Sequence, residues 1–222
     1  RSYNGGLQWT IINMGITKFN IEALAINGTK VYAGGYGTEG GFFVSTDLGQ
    51  TWNEKSGGFD SKYIKSIVVH NGNVFVGTYG YGLFRSMDEG ASWKKIDSGL
   101  TTSAIGALLL HNGLLYAGTN IGVFVSSDSG ISWVKKVNGL TTTAVQAFTA
   151  KDSMVFAGTS NGIFLTKNAG DSWIGKNTNL IYTVIYGLGY SGGKLLAATN
   201  ASVSFSNNNG DSWNSFVVNN GM

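Results

Sequence analysis

The chain has 222 residues, 34 of them Gly, with no Pro, no Cys and only 12% charged residues. That length suits one large domain or two small ones with a sizeable core, and the lack of Cys excludes disulfide scaffolds and Cys-ligated zinc or iron–sulfur sites. Two His speak against a His-rich metal centre, a net charge of +3 with only two Arg (Arg1 and Arg85) speaks against specific nucleic-acid readout, and no apolar run approaches the roughly 18 residues of a membrane span.

In chain order, the first element is the octapeptide at 2–9, SYNGGLQW. Its pattern, Ser/Thr-x-Asp/Asn-x-Gly-x-x-Trp, returns as STDLGQTW (45–52), SMDEGASW (86–93), SSDSGISW (126–133), TKNAGDSW (166–173) and SNNNGDSW (206–213). All six Trp close a copy, at spacings of 43, 41, 40, 40 and 40 residues. Self-similarity at such a period marks a repeat architecture. Each copy is followed by a short segment, strand d, that ends in most repeats on a Gly-apolar step: Gly15-Ile16, Gly58-Phe59, Gly99-Leu100 and Gly139-Leu140.

An apolar run, strand a, then starts near Ile21, Ile64, Ile105, Val145 and Ile185. It ends on a hairpin signal: Asn27-Gly28, Asn71-Gly72 and Asn112-Gly113, with Asp152-Ser153 and Gly192-Gly193 in the same place later. Such dipeptides supply the positive φ angles of type I′ turns. Strand b follows and stops at Ala33-Gly34-Gly35, Val76-Gly77-Thr78, Ala117-Gly118-Thr119, Ala157-Gly158-Thr159 and Ala197-Ala198-Thr199. Strand c leads into the next octapeptide. No stretch carries a helical period, and Gly is too frequent for helix interiors.

Four short antiparallel strands in about 40 residues are the size of a β-propeller blade. The predicted class is therefore all-β, a β-propeller of four-stranded antiparallel blades forming one domain over 1–222. The repeats run approximately 10–52, 53–93, 94–133, 134–173 and 174–213. The pattern d–(abcd)×5 favours five blades with an extra outer strand at 1–16 or 214–222. Two alternatives are a section of a six- to eight-bladed propeller and a spare strand that completes a neighbour's blade. The fifth repeat is the most degraded, with Ala198, Ser202 and Ser204 where the others carry Gly, Gly and Phe.

The octapeptide carries its own chemistry. A short Asp or Asn accepts loop N–H groups, Ser or Thr adds a second bond, Gly permits a left-handed turn, and Trp packs beneath with an N–H in search of a carbonyl. A structural role is thus expected for Asn4, Gly6 and Trp9; Asp47, Gly49 and Trp52; Asp88, Gly90 and Trp93; Asp128, Gly130 and Trp133; Asn168, Gly170 and Trp173; and Asn208, Gly210 and Trp213.

Ser/Thr-x-Asp-x-Gly-x-x-Trp resembles the Asp-box, or BNR, repeat of β-propellers. Families carrying it include sialidases, sortilin-type receptors, xyloglucan-active glucanases and the photosystem II assembly factor group. The resemblance implies a structural box away from the ligand face. Asp47, Asp88 and Asp128 match it in full, while Asn4, Asn168 and Asn208 depart from it. Amides in half of the series argue for hydrogen bonding rather than catalysis or metal binding.

By fold analogy, the d–a and b–c loops share the face that meets ligands. The b–c loops hold Tyr36, Tyr79 and Tyr81, then Asn120, Asn161 and Asn200. The d–a loops hold Lys18, Phe19, Phe59, Lys62, Tyr63, Thr101, Thr102, Thr141, Thr142, Tyr182 and Tyr186. Candidate ligand-binding residues are Tyr36, Tyr63, Tyr79, Tyr81, Asn120 and Asn161. Rigid aromatic area suits protein or sugar contact. His70 and His111, at matching positions before a turn, lack the partners of a metal pair. Asn27-Gly28-Thr29 and Asn200-Ala201-Ser202 fit the glycosylation sequon.

Two Arg cannot supply the sialidase Arg triad that the resemblance would require. Other glycosidases need two opposed carboxylates, for which Glu39 and Asp60 are the only top-face candidates. No catalytic residue, metal or cofactor is assigned. The reading is a non-enzymatic, extracellular or periplasmic module that binds a protein or glycan surface or builds an assembly. Self-assembly or strand exchange through the surplus strand belongs to it; nucleic acid and a membrane span do not. Alternatives are a lectin-like propeller using the Tyr/Asn loops and a glycoside hydrolase. A start at Arg1 without Met suggests a processed or trimmed chain.

Overall fold

The computed structural model of the chain describes residues 1–16, 20–37, 40–57 and 63–216. Among these residues there are five four-stranded antiparallel sheets and no helix. Blade 1 joins β1 (Ile21–Asn27), β2 (Lys30–Gly35), β3 (Phe42–Ser45) and β4 (Asn53–Glu54). Blade 2 joins β5 (Ile64–His70), β6 (Asn73–Thr78), β7 (Leu83–Ser86) and β8 (Lys94–Lys95). Blade 3 follows with β9 (Ile105–His111), β10 (Leu114–Thr119), β11 (Gly122–Ser126) and β12 (Val134–Lys136). Blade 4 has β13 (Val145–Lys151), β14 (Met154–Thr159), β15 (Gly162–Thr166) and β16 (Ile174–Gly175). Blade 5 has β17 (Ile185–Ser191), β18 (Lys194–Thr199), β19 (Val203–Ser206) and β20 (Asn214–Phe216). Neighbours in sequence are neighbours in each sheet.

The chain forms two compact units, Arg1–Lys95 with blades 1 and 2, and Ile96–Met222 with blades 3 to 5. In blades 1, 3 and 4 the second and third strands are buried on both faces, as sheets stacked face to face require. In the first unit, Ala23, Tyr32, Phe42 and Val44 of blade 1 meet Ile64, Ile67, Val74 and Val76 of blade 2. In the second, Tyr116, Val123 and Val125 of blade 3 meet Val145, Val155 and Ala157 of blade 4. Phe156, Ile163 and Leu165 of blade 4 then meet Ile185, Leu195 and Ala197 of blade 5. The Gly of strand b makes this approach possible. A Cβ on Gly34, Gly118 or Gly158 would lie 2.3, 2.7 or 2.6 Å from Ile64, Val145 or Ile185, the first residue of the next blade.

Hairpin chemistry follows the sequence in four of the five blades. Asn71, Asn112 and Asp152 take φ of 48, 49 and 53°, and Gly192 takes 56°. Blade 1 differs by one residue. Asn27 pairs with Lys30, so the turn residues are Gly28 and Thr29 rather than Asn27-Gly28. Asn27 therefore occupies the position of His70 and His111, at the end of the strand.

Each octapeptide is a closed hydrogen-bond circuit. In the second copy, the Ser45 hydroxyl donates to Asp47 Oδ1 (2.7 Å) and accepts from the Gly49 N–H (2.7 Å). Asp47 also accepts from the Thr51 N–H (2.9 Å) and hydroxyl (2.6 Å). The copies at Asp88 and Asp128 repeat these bonds. With Asn, one bond reverses: Asn168 Nδ2 donates to Ser172 Oγ, and Asn208 Nδ2 to Ser212 Oγ, both at 3.0 Å. A hydroxyl gives or takes a proton, so either side chain closes the loop. The carboxylate versions are shorter because they are charge-assisted.

Four donated hydrogen bonds, led by the hydroxyl and N–H of Thr51 or Ser92 or Ser132, hold Asp47, Asp88 and Asp128 at a pKa of about 2. In the unfolded chain an Asp titrates near 3.9. The folded value lies below it, so this stabilisation is complete above about pH 5 and is lost as pH falls toward 2. The expected result is a melting temperature that drops between pH 5 and 2. The slope should be clearly shallower when all three are Asn, as in Asp47→Asn/Asp88→Asn/Asp128→Asn. Parallel curves in a calorimetric pH series would refute this source of acid lability.

Five of the tryptophans tie their octapeptide to the segment that follows the preceding one. Trp52, Trp93, Trp133, Trp173 and Trp213 donate their indole N–H to the backbone carbonyls of Ile12, Lys55, Ile96, Lys136 and Lys176, at 2.8, 3.2, 2.8, 3.1 and 2.7 Å. In every case the acceptor lies three residues beyond the preceding Trp. The strand-d segment adds two further ties. The carbonyl two residues on accepts the next Trp backbone N–H, as Met14 does for Trp52 (2.9 Å) and Asn138 for Trp173 (2.9 Å). Its closing apolar residue enters the next core, as Ile16, Leu140 and Leu180 do.

The leading copy departs from the sequence pattern. Among the described residues, 10–16 belong to no sheet. They lie against blade 1 through the Met14–Thr51 bridge and the Ile12 and Met14 carbonyls. Trp9 is 75% exposed, and its indole N–H turns back on its own Gly6 carbonyl at 3.0 Å.

Candidate functional site

In the first unit, the loops at the ends of β1, β2, β5 and β6 bring three of the four candidate tyrosines into one cluster. Tyr36 follows β2 and forms a single antiparallel bridge with Tyr63, which precedes β5. Their rings meet edge to face at a centroid distance of 5.0 Å and 77°. Tyr81 lies 6.1 Å from Tyr63 with the ring planes within 8°. Edge and stacked pairs of this kind are favoured by the ring quadrupoles. The fourth tyrosine, Tyr79, donates its backbone N–H to the Tyr63 carbonyl at 2.9 Å, and its own ring is exposed.

The loop that carries Tyr79 and Tyr81 is built for this position. Gly80 and Gly82 take φ of +103 and +94°, angles that disfavour a side chain. Buried Thr78 receives the Tyr81 N–H (3.2 Å) and donates to the Gly82 carbonyl (2.8 Å). The loop is thus pinned at both ends, and Tyr81 stands partly free on a fixed base.

A charged pair completes the cluster. Lys65 places its ammonium 4.6 Å from the centre of the Tyr36 ring and forms an ion pair with Glu22. Both residues sit at β-bulges: the register of β1 slips between Ile21 and Ala23, and that of β5 between Ile64 and Ser66. A bulge re-aims the extra residue at a sheet edge, here toward the tyrosines in the case of Lys65. The same slip falls on Gln146 and Tyr186 in the second unit. Sequence reasoning singled out neither Glu22 nor Lys65. The available signal was a charged residue second in the first two strand-a runs, Ile-Glu-Ala-Leu and Ile-Lys-Ser-Ile.

The second unit holds the polar candidates. Asn120 accepts from the Thr102 hydroxyl at 2.8 Å through Oδ1, and from the Thr143 hydroxyl at 3.1 Å through its backbone carbonyl. It is a loop tie as much as a contact residue. Asn161 is exposed, and its backbone N–H donates to Thr159 Oγ1 at 3.1 Å. Thr142 and Ser160 share a bond of 3.0 Å. Lys18, Phe19, Glu39, Phe59, Asp60 and Lys62 lie outside the described residues. So do both top-face carboxylates of the hydrolase alternative.

His111 is held by the hairpin turn of the next blade, with Nε2 2.7 Å from the Asp152 carbonyl. Among the described residues no three His, Asp or Glu side chains gather as a metal site would require. No helix of the described chain is long and apolar enough to cross a membrane.

No family model and no curated protein sequence matches the chain. Solved structures do. The structure titled "YCF48 bound to D1 peptide" superposes with a TM-score of 0.72 at 18% identity, over 92% of this chain and 69% of that one. The extracellular domain of BT4673 from B. thetaiotaomicron gives 0.71 at 16% identity, over 84% of this chain and 27% of that one. The GH74 enzyme of Niastella koreensis gives 0.70 at 17%, over 88% and 38%. The chain thus spans only part of each. At these identities the likeness concerns the fold, and with five sheets of four antiparallel strands that fold is a β-propeller of four-stranded blades.

Proposed function

We propose that the protein is a non-enzymatic binding module, an Asp-box propeller working outside the cytoplasm. The aromatic surface of blades 1 and 2 contacts a protein segment. One observation carries this reading: Tyr36, Tyr63 and Tyr81 are packed in series and braced by Lys65, with Tyr79 exposed beside them. Preorganised aromatic area of this kind loses little entropy on binding. A YCF48 structure bound to a peptide supports it as precedent for the fold. The extracellular domain from BT4673 supports the location.

A second reading is favoured by the near-parallel rings of Tyr63 and Tyr81. Parallel rings suit the flat face of a sugar, which makes the ligand a glycan. Peptide and glycan arrays probed with the pure protein separate the two. On the array that binds, Tyr81→Ala and Tyr63→Ala are expected to weaken affinity at least tenfold, about 1.4 kcal/mol, while Asn161→Ala leaves it unchanged. Binding indifferent to both tyrosines overturns the site. Hydrolysis of plant or bacterial polysaccharides, abolished by Glu39→Gln or Asp60→Asn, overturns the non-enzymatic reading.

A further inference from the structure

The Asn-Gly dipeptides that make hairpin turns are also chemically reactive. The Gly nitrogen can attack the Asn Cγ, closing a five-membered imide and releasing the side-chain nitrogen as ammonia. Water then opens the imide at either carbonyl. One opening leaves aspartate, the other isoaspartate, with the main chain rerouted through Cβ. The exchange turns an amide into a carboxylate and needs neither oxidant nor cofactor. Ring closure makes two demands. The Gly N–H must be free of a hydrogen-bond acceptor, and the Asn carbonyl must turn until the Gly nitrogen eclipses Cβ, outside strand and right-handed helix conformations.

The chain has eight Asn-Gly pairs, of which Asn220-Gly221 lies outside the described residues. Hydrogen bonds restrain five of the other seven. Gly162 and Gly210 donate their N–H to the Thr183 carbonyl (2.6 Å) and to Ser206 Oγ (2.8 Å). Asn138 accepts the Trp173 N–H on its carbonyl (2.9 Å) and donates its carboxamide to the Asp171 carbonyl (3.3 Å). Asn4 Oδ1 accepts from the Ser2 hydroxyl (3.0 Å) and the Gln8 N–H (2.9 Å). Asn112 Nδ2 donates to the Asp152 carbonyl (3.2 Å). Asn27 is restrained differently: it is the last residue of β1 and pairs with Lys30, and the turn toward the imide would break that pair.

Asn71 escapes these restraints. Among the described residues, neither its carboxamide nor the Gly72 N–H has a hydrogen-bond partner. Asn71 and Gly72 take φ of 48 and 76° inside the pair His70–Asn73, a type I′ hairpin turn. Flipping the peptide between them gives a type II′ turn, with Asn71 still at positive φ. The hairpin stays closed, because both turn types join the same two strands. The flip gives up one exposed bond, from Asn73 Nδ2 to the Asn71 carbonyl at 3.2 Å, and it carries the Gly72 nitrogen toward Asn71 Cβ, as the imide requires. We infer that Asn71 is a site of imide formation in the folded protein, passing to isoaspartate and aspartate ahead of every other described Asn-Gly pair. The product sets a negative charge next to His70. The added main-chain atom falls at a turn where a Cβ on Gly72 would meet nothing within 4 Å, so the strands keep their pairing. Isoaspartyl residues are substrates of carboxyl methyltransferases that use S-adenosylmethionine, and this hairpin is where such an enzyme finds its group.

Incubation of the folded 222-residue protein in mildly alkaline buffer, followed by peptide mapping with mass spectrometry, tests this. A purified isoaspartyl methyltransferase with labelled S-adenosylmethionine gives a second readout. The expected result is conversion at Asn71 about tenfold faster than at Asn27, Asn112 or any other described pair. Asn71→Gln removes most of the methyl incorporation, because a six-membered imide closes far more slowly. In urea, where the restraints are gone, the rates at the Asn-Gly pairs converge. Conversion at Asn71 no faster than at Asn27 or Asn112 in the folded protein overturns the inference, as does methylation that survives Asn71→Gln. Rates that stay apart in urea overturn it too, since sequence rather than folding would then set the order.

Discussion

Gly139→Ala is expected to cost about 3 kcal/mol or more of folding free energy, a fall in melting temperature on the order of 6–12 °C for a chain of this size. Gly139 has φ of +87°, and its Cβ would lie 2.1 Å from the backbone carbonyl oxygen of Trp173. The angle alone costs an L side chain roughly 1–2 kcal/mol. The clash adds to it because the obstacle is backbone, held by the Trp173 N–H bond to Asn138 at 2.9 Å, and cannot rotate away. Gly113→Ala separates the two effects. Gly113 has φ of +76° in a hairpin turn with nothing within 4 Å of its Cβ, so only the angle is paid for there. Equal losses for the two variants in thermal denaturation would show that the strand-d segment has room to move away from the next blade.

Trp173→Ala should remove about 3–5 kcal/mol, whereas Trp9→Ala should stay within about 0.5 kcal/mol. The two residues close the same octapeptide. Trp173 is buried among Val145, Val155 and Phe164 and donates to the Lys136 carbonyl. Its loss opens a cavity and strands an acceptor inside the second unit. Trp9 has neither the packing nor the inter-blade acceptor. Urea titrations of both variants at low protein concentration decide the point, and a large loss for Trp9→Ala would mean that its exposure is not the solution state.

The candidate site was legible in pieces. Tyr36, Tyr63, Tyr79 and Tyr81 could be placed on neighbouring loops from the repeat alignment, because loop membership depends only on strand order. The ring contacts among Tyr36, Tyr63 and Tyr81 were not legible, since they join residues 18 to 27 positions apart across two blades. Lys65 and Glu22 escaped notice because a β-bulge, not alternation, sets where they point. The first hairpin shows the same limit on a small scale. Asn27-Gly28 has the composition of a turn, yet strand pairing moves the turn one residue on.

By itself the sequence determined the strands, their grouping in fours and the turn that each octapeptide makes. These are local matters: alternation of apolar runs, left-handed Gly and Asn, and a short acceptor two residues after a hydroxyl. It even showed Asp and Asn to be interchangeable, which the reversed bond to Ser172 explains. Only the tertiary structure decided that five of the Trp reach back to the segment after the preceding octapeptide, and that Trp9 turns on its own Gly6 instead. Those facts depend on surfaces brought together across some 40 residues, where the free energy comes from packing two sheet faces, and no pattern within one repeat reports which Trp goes without such an acceptor.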